Sequence, residues 1–101
     1  MELKNAAKQL EALGNPTRLA IFRQLVTAGP QGSSVGEIRE TLDIPGSTLS
    51  HHIAKLVNAG LLDQQRDSRS LVCRVDHESM DMLMEFLVQN CCTEDWIIQS
   101  E

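Results

Sequence analysis

Apolar residues recur at helical spacing along most of the chain. Over residues 2–13, Leu3, Ala6, Ala7, Leu10 and Leu13 form one stripe, which predicts a first helix. Gly14-Asn15-Pro16 ends it, and Asn15 followed by Pro16 at the first helical position opens a second. That helix is expected to run to about Ala28 and to turn Leu19, Ile21, Phe22, Leu25 and Val26 mostly inward. Gly29-Pro30-Gln31-Gly32 predicts a loop. Ser34 with Glu37 three residues later is a capping box, opening a short helix through Ile38 and Leu42. Asp43 to Gly46 then form a short turn before a helix at 47–59.

After Gly60 the period changes. Residues 61–66 and 70–75 are short extended runs on either side of Asp67-Ser68-Arg69, which predicts a β-hairpin. Leu71, Cys73 and Val75 fall on one face of the second strand, with Val72 and Arg74 on the other. From about His77 the helical period returns, with Met80, Leu83, Met84, Leu87 and Val88 apolar, and is expected to reach Asn90 or beyond. The fold class is therefore mainly α with a small β-hairpin. A short helix, a tight turn, a polar-faced helix and a basic-tipped hairpin make a winged helix-turn-helix.

The helix at 47–59 carries the most chemistry. Ser47 and Thr48 are expected to cap its start, and Gly60 its end. Leu49, Ile53, Leu56 and Val57 make it apolar on one side. At about 100° per residue, Ser47, His51, Lys55 and Asn58 fall on the opposite side. An ordinary solvated face mixes Glu with Lys. Ser, His, Lys and Asn suit base edges and phosphates better. Ser47, Thr48, Ser50 and His51 are the candidates for the groove, with Lys55 and Arg69 for the backbone. His52 lies beside Leu49 and Leu56, which points to a packed or hydrogen-bonded role. Arg69, at the hairpin tip, is otherwise a solvated charge.

With 101 residues the chain is expected to be a single domain over its length, 1–101. Its formal net charge of −5 sits awkwardly with DNA binding, but the distribution changes the picture. Residues 1–43 balance to zero, and residues 44–75 carry four basic groups against Asp63 and Asp67. Residues 76–101 hold seven acids and no Lys or Arg. A DNA surface remains possible if that end faces away from the duplex, with modest, salt-sensitive affinity. No apolar run approaches the roughly 18 residues of a membrane span, and the start lacks a signal-peptide core, so the expected location is the cytoplasm. Three Cys without a disulfide framework agree with a reducing compartment. An enzyme is disfavoured: there is no CxxC, no phosphate-cradling Gly loop, and no paired base and nucleophile.

Three segments in order resemble the ArsR-type (ArsR/SmtB) bacterial repressors: Leu13-Gly-Asn-Pro-Thr-Arg-Leu-Ala-Ile-Phe22, Ser50-His-His-Ile-Ala-Lys-Leu-Val-Asn-Ala-Gly-Leu-Leu62 and Arg66-Asp-Ser-Arg-Ser-Leu-Val-Cys-Arg74. With the flanking helices, the resemblance spans nearly the whole chain. It implies a homodimer built through the first and last helices, an operator with two-fold symmetry, and release when a metal, metalloid or oxidant is sensed. Arg18 matches a position that is usually structural in the family. The apolar stripes of the terminal helices fit a dimer too, unless both simply pack on the monomer core.

The family senses at several places. Ser34-Val35-Gly36 stands where one branch has Cys-Val-Cys, Asp81-Met82-Leu83 lacks the imidazole of the last-helix zinc site, and the second helix has no Cys for a persulfide sensor. What remains is Cys91-Cys92 in Gln89-Asn-Cys-Cys-Thr-Glu-Asp-Trp96, which resembles the arsenite-responsive branch. That branch often has a third Cys later; this chain does not. The resemblance implies a trivalent arsenical, arsenite or methylarsenite, as inducer at Cys91 and Cys92, with no resident cofactor. Three alternatives stay open: the pair as small hydrophobes, a redox switch opposed by Glu94 and Asp95, and a winged helix that binds protein instead of DNA. Cys73 fits the core better than a ligand set.

Overall fold

The computed structural model describes residues 1–89. Its elements are α1 (Leu3–Leu13), α2 (Pro16–Ala28), a 3-10 turn (Gly29–Gln31), β1 (Ser33–Ser34), α3 (Val35–Leu42), α4 (Gly46–Asn58), β2 (Leu62–Asp67), β3 (Ser70–Val75) and α5 (His77–Val88). The sheet is antiparallel with order β1-β3-β2. The hairpin pairs Leu62 with Val75 and Asp67 with Ser70, leaving Ser68 and Arg69 as a two-residue turn. Ser68 has φ 59, as the primed hairpin turns require at their first position. β1 was not expected from the sequence. It pairs Ser33 with Cys73 and Ser34 with Val72, and so ties the hairpin to the start of α3.

The expected caps at Asn15 and Ser34 form. Asn15 Oδ1 accepts the Arg18 backbone N–H, Ser34 Oγ accepts from Glu37, and Glu37 Oε1 accepts back from the Ser34 N–H. The cap expected from Ser47 and Thr48 does not form. Pro45 takes the N-cap position and its carbonyl accepts the Leu49 N–H, so α4 starts one residue earlier and both hydroxyl residues lie exposed in its first turn. Proline suits this place because the chain there needs no donor. At the other end, Ala59 is the cap and Gly60 follows with φ 81. Gly60 N–H bonds to the Val57 carbonyl and Leu61 N–H to the Leu56 carbonyl, a Schellman arrangement sealed by two buried leucines.

The core joins Ile21, Phe22 and Leu25 of α2, Ile38 of α3, Leu49, Ile53 and Leu56 of α4, Leu61, Leu62, Cys73 and Val75 around the hairpin, and Leu83 of α5. One helix, α2, differs from expectation. In α2, Leu19 and Val26 are exposed, because they lie about 100° from the ridge formed by Ile21, Phe22 and Leu25. In α1 the buried residues are Ala6, Gln9 and Ala12, while Leu3 is 74% and Leu10 43% exposed. The small face is the one that fits against α2 and α4, and Gln9 is admitted there because its Nε2 donates to the Ala59 carbonyl (3.1 Å) at the end of α4. α5 is capped by Asp76, which accepts from Ser79, and packs against α1. It ends at Val88, short of Asn90, because Gln89 takes an extended ψ of 133°. Met84 (59%), Leu87 (53%) and Val88 (61%) are exposed.

Candidate nucleic-acid interface

α3 and α4 form the helix-turn-helix. Asp43 in the left-handed conformation (φ 50) ends α3, and Ile44-Pro45 carries the chain into α4. Leu49, Ile53 and Leu56 seat α4 on α2 and β2, which fixes what it presents to solvent. Ser47, Thr48, Ser50, His51, Lys55 and Asn58 are all exposed. No acidic residue occurs within α4. Its N-terminal N–H groups add partial positive charge at the start of the same surface. Arg69 is exposed at the hairpin tip, on a separate element from the other DNA candidates.

One basic residue here had not been singled out. Gly46 opens α4, and the Arg39 guanidinium of α3 packs over it, 3.4 Å from where a Cβ would stand. This places a cation beside the N-terminus of α4, in a depression also lined by Gly36, Glu40, Asp43, Ile44 and Pro45. Taken alone, an Arg on a short helix looks like an ordinary solvated charge; the glycine opposite it was the available signal. Arg74, by contrast, is spent on the fold: Nε donates to the Pro30 carbonyl (3.0 Å) and Nη1 to Gln65 Oε1 (3.1 Å).

Arg18 and His52 hold α4 in place. Arg18 Nε donates to the Ala12 carbonyl at the end of α1 (2.6 Å), and Nη1 reaches His52 Nδ1 on α4 (3.3 Å). Arg cannot accept, so Nδ1 must be unprotonated for this bond. The His52 pKa is correspondingly lowered, first by burial and then by Arg18, His51 and Lys55. The folded state therefore prefers neutral His52. Its contribution to stability is complete above the unfolded value of about 6.5 and is lost as pH falls through the lower folded value. His52→Asn, whose carbonyl oxygen can still accept from Arg18, is expected to flatten the fall in stability between about pH 7.5 and pH 5. Urea denaturation at both values checks this; an unchanged pH dependence assigns the fall to other groups.

Cys73 is fully buried, accepts a weak bond from Gln64 Nε2 (3.6 Å), and has its thiol pKa pushed up by burial. It belongs to the core and is poorly placed for metal or redox chemistry. Among the described residues, no group of three or more His, Cys, Asp or Glu is arranged to hold a metal ion. No described helix is long and apolar enough to cross a membrane. Cys91 and Cys92 lie outside the described residues.

Two helices meeting at a tight turn, with a paired hairpin behind them, define a winged helix-turn-helix protein. Residues 13–65 match the model of a helix-turn-helix domain family. The chain is 30% identical over 89 residues to the HTH-type transcriptional regulator YgaV of Escherichia coli, covering 88% of each protein. Among solved structures it is similar to one described as a possible transcriptional regulator for arsenical resistance, with 25% identity and a TM-score of 0.72 over 93% of this chain and 96% of that one. It also shares its fold (TM-score 0.71, 22% identity, 85% of this chain and 78% of the other) with a homodimeric winged helix-turn-helix domain from Mycobacterium bovis, described as a possible ArsR-family regulator. The chain belongs to the ArsR family of DNA-binding winged helix-turn-helix transcriptional regulators.

Proposed function

We propose that this chain is a cytoplasmic, homodimeric transcriptional repressor that binds an operator of two-fold symmetry and leaves it when a trivalent arsenical binds Cys91 and Cys92. The exposed, acid-free face of α4 carries the DNA part of this reading. Ser47, Thr48, Ser50 and His51 are assigned to base edges in the major groove, and Lys55 and Arg69 to phosphates. Arg39 joins them as a phosphate contact beside the α4 N-terminus. Substituting Ser50 or His51 is expected to cost roughly 1–3 kcal/mol of operator binding and to relax base preference. Arg69→Ala is expected to weaken all duplexes about equally. Competition titrations with operator variants separate the two. Unaltered base preference in the Ser50 and His51 variants would remove α4 from the groove.

The dimer is supported by apolar side chains that are exposed among the described residues on the terminal helices: Leu3 and Leu10 on α1, and Met84, Leu87 and Val88 on α5. These two helices pack on each other, so their outer faces form one adjacent surface. Leu10→Glu or Leu87→Glu is expected to yield monomer with operator affinity lost. Sedimentation checks this, and a variant that remains dimeric moves the interface elsewhere. The arsenical part rests on the sequence Asn90-Cys91-Cys92 and on the soft thiolate chemistry that selects thiophilic ions. With two tail thiols, the site suits methylarsenite at least as well as arsenite.

A further inference from the structure

α1 and α4 are tied twice, by Gln9 to Ala59 at the end of α4 and by the Arg18 bridge of α2 from Ala12 to His52 at the middle of α4. Beside these ties lies a cleft of about 180 Å³, lined by Lys8, Glu11, Ala12, Arg18, Lys55, Asn58 and Ala59. We propose that this cleft grips a backbone phosphate of bound DNA, so that α1 takes part in DNA binding as well as α4 and the hairpin. The proposal rests on the DNA-binding reading above.

Three observations carry it. First, the cleft holds three cations and one carboxylate, in a chain that is acidic overall. Second, among the described residues the half-buried Arg18 guanidinium bonds only to neutral partners: the carbonyls of Ala12 and Glu11 and the His52 ring. Its charge is not offset by those bonds, and its five N–H donors exceed the three that they use. Third, the cleft continues the exposed surface of α4. Lys55 lies one turn beyond His51, and Asn58 lies on the His51 side. A helix with its side chains is about 10–12 Å across and the major groove about 12 Å wide, so a seated helix turns its flanks to the phosphate walls. The α1-facing flank of α4 is where this cleft opens.

The test is the salt dependence of binding to operator and random-sequence duplexes, for wild type, Lys8→Ala, Glu11→Gln and Lys4→Ala. Lys4 lies on the same helix but does not line the cleft. Lys8→Ala is expected to raise Kd for both duplexes alike and to lower the log–log salt slope by about 1.8, about 0.9 for each protomer of the dimer, which makes wild type lose about 12-fold more affinity than the variant between 50 and 200 mM salt. Glu11→Gln is expected to tighten both duplexes, an effect that mere damage to α1 would not give. Lys4→Ala is expected to keep the wild-type slope. A wild-type slope in Lys8→Ala, or equal losses from Lys8→Ala and Lys4→Ala, overturns the proposal. So does a cleft that takes only free oxyanion, seen as NMR shifts at Lys8 and Arg18 with inorganic phosphate but not with chloride at equal ionic strength, while the Lys8→Ala slope stays wild type. Failure of the DNA-binding reading itself is recognised separately, by wild type showing no salt-dependent affinity for any duplex.

Discussion

Gly32→Ala is expected to be the most damaging single-methyl change in the described fold. Gly32 has φ 70 and ψ −166, a region that essentially only glycine occupies, so an alanine there costs on the order of 1–3 kcal/mol in backbone strain. A Cβ would also meet the Cys73 carbonyl oxygen, and Arg74 Cγ at 2.7 Å. The first of these is backbone within the β1–β3 pairing and cannot step aside. The variant must strain or release β1, which unties the hairpin from α3. A total loss of about 3–4 kcal/mol, or roughly 12 °C or more in Tm, is expected for a domain of this size. Gly29 supplies the control. It has similar angles (φ 76, ψ −156), but nothing lies within 4 Å of its Cβ position. Gly29→Ala should therefore show the strain without the clash. Thermal melts of both variants check this. Equal losses would show that the close approach of Gly32 to β3 contributes nothing.

The second large effect is induction. On the proposed function, methylarsenite or arsenite releases the operator, Cys91→Ser and Cys92→Ser each bind DNA but ignore the arsenical, and Cys73→Ser still responds. A hundredfold drop in operator affinity needs only about 2.7 kcal/mol of coupling, at about 1.4 kcal/mol per decade. Neighbouring helical residues point about 100° apart, so two adjacent sulfurs meet one arsenic most readily outside a regular helix. α5 touches α1, and α1 is bonded to α4 through Gln9 and Arg18, which gives a route by which the ligand can bias the recognition helices. Gel-shift titrations of reduced protein with and without arsenicals check the prediction. Release of DNA from the double Cys91/Cys92 variant would place the sensor elsewhere.

What could be read from the sequence was largely what local chemistry decides. Asn15-Pro16, the Ser34–Glu37 box and Gly60 each satisfy backbone groups within a few residues, so the helix boundaries they mark lie within a residue or two of their expected places. The exposed surface of α4 followed equally directly, because its apolar side is narrow and regular. What depends on tertiary partners was less legible. The apolar stripe of α1 did not show which of its members face the monomer core: Gln9 is drawn inward by a carbonyl fifty residues away, while Leu3 and Leu10 stay exposed on the face expected to serve the dimer. Leu19 and Val26 are outside for the same reason: helical period marks apolar faces but not which one a neighbour covers. β1 is two residues long, too short to show a period, and only its pairing with β3 reveals it. Lys8 carried no signal of its own and Arg39 only the Gly46 that faces it; their surroundings are made by other elements.

The central claim is that α4, presented by a helix-turn-helix and flanked by the hairpin, reads duplex DNA. The most direct measurement is selection of bound sequences from a randomised duplex pool by the reduced protein, followed by Kd against salt for the selected duplex. The account predicts enrichment of a two-fold symmetric sequence with half-sites one helical turn or a multiple apart, and steep weakening with salt. It also predicts that His51→Ala relaxes the enriched pattern while Arg69→Ala leaves the pattern and lowers the affinity. A pool that emerges without an enriched pattern, or affinity that is indifferent to salt, would contradict it.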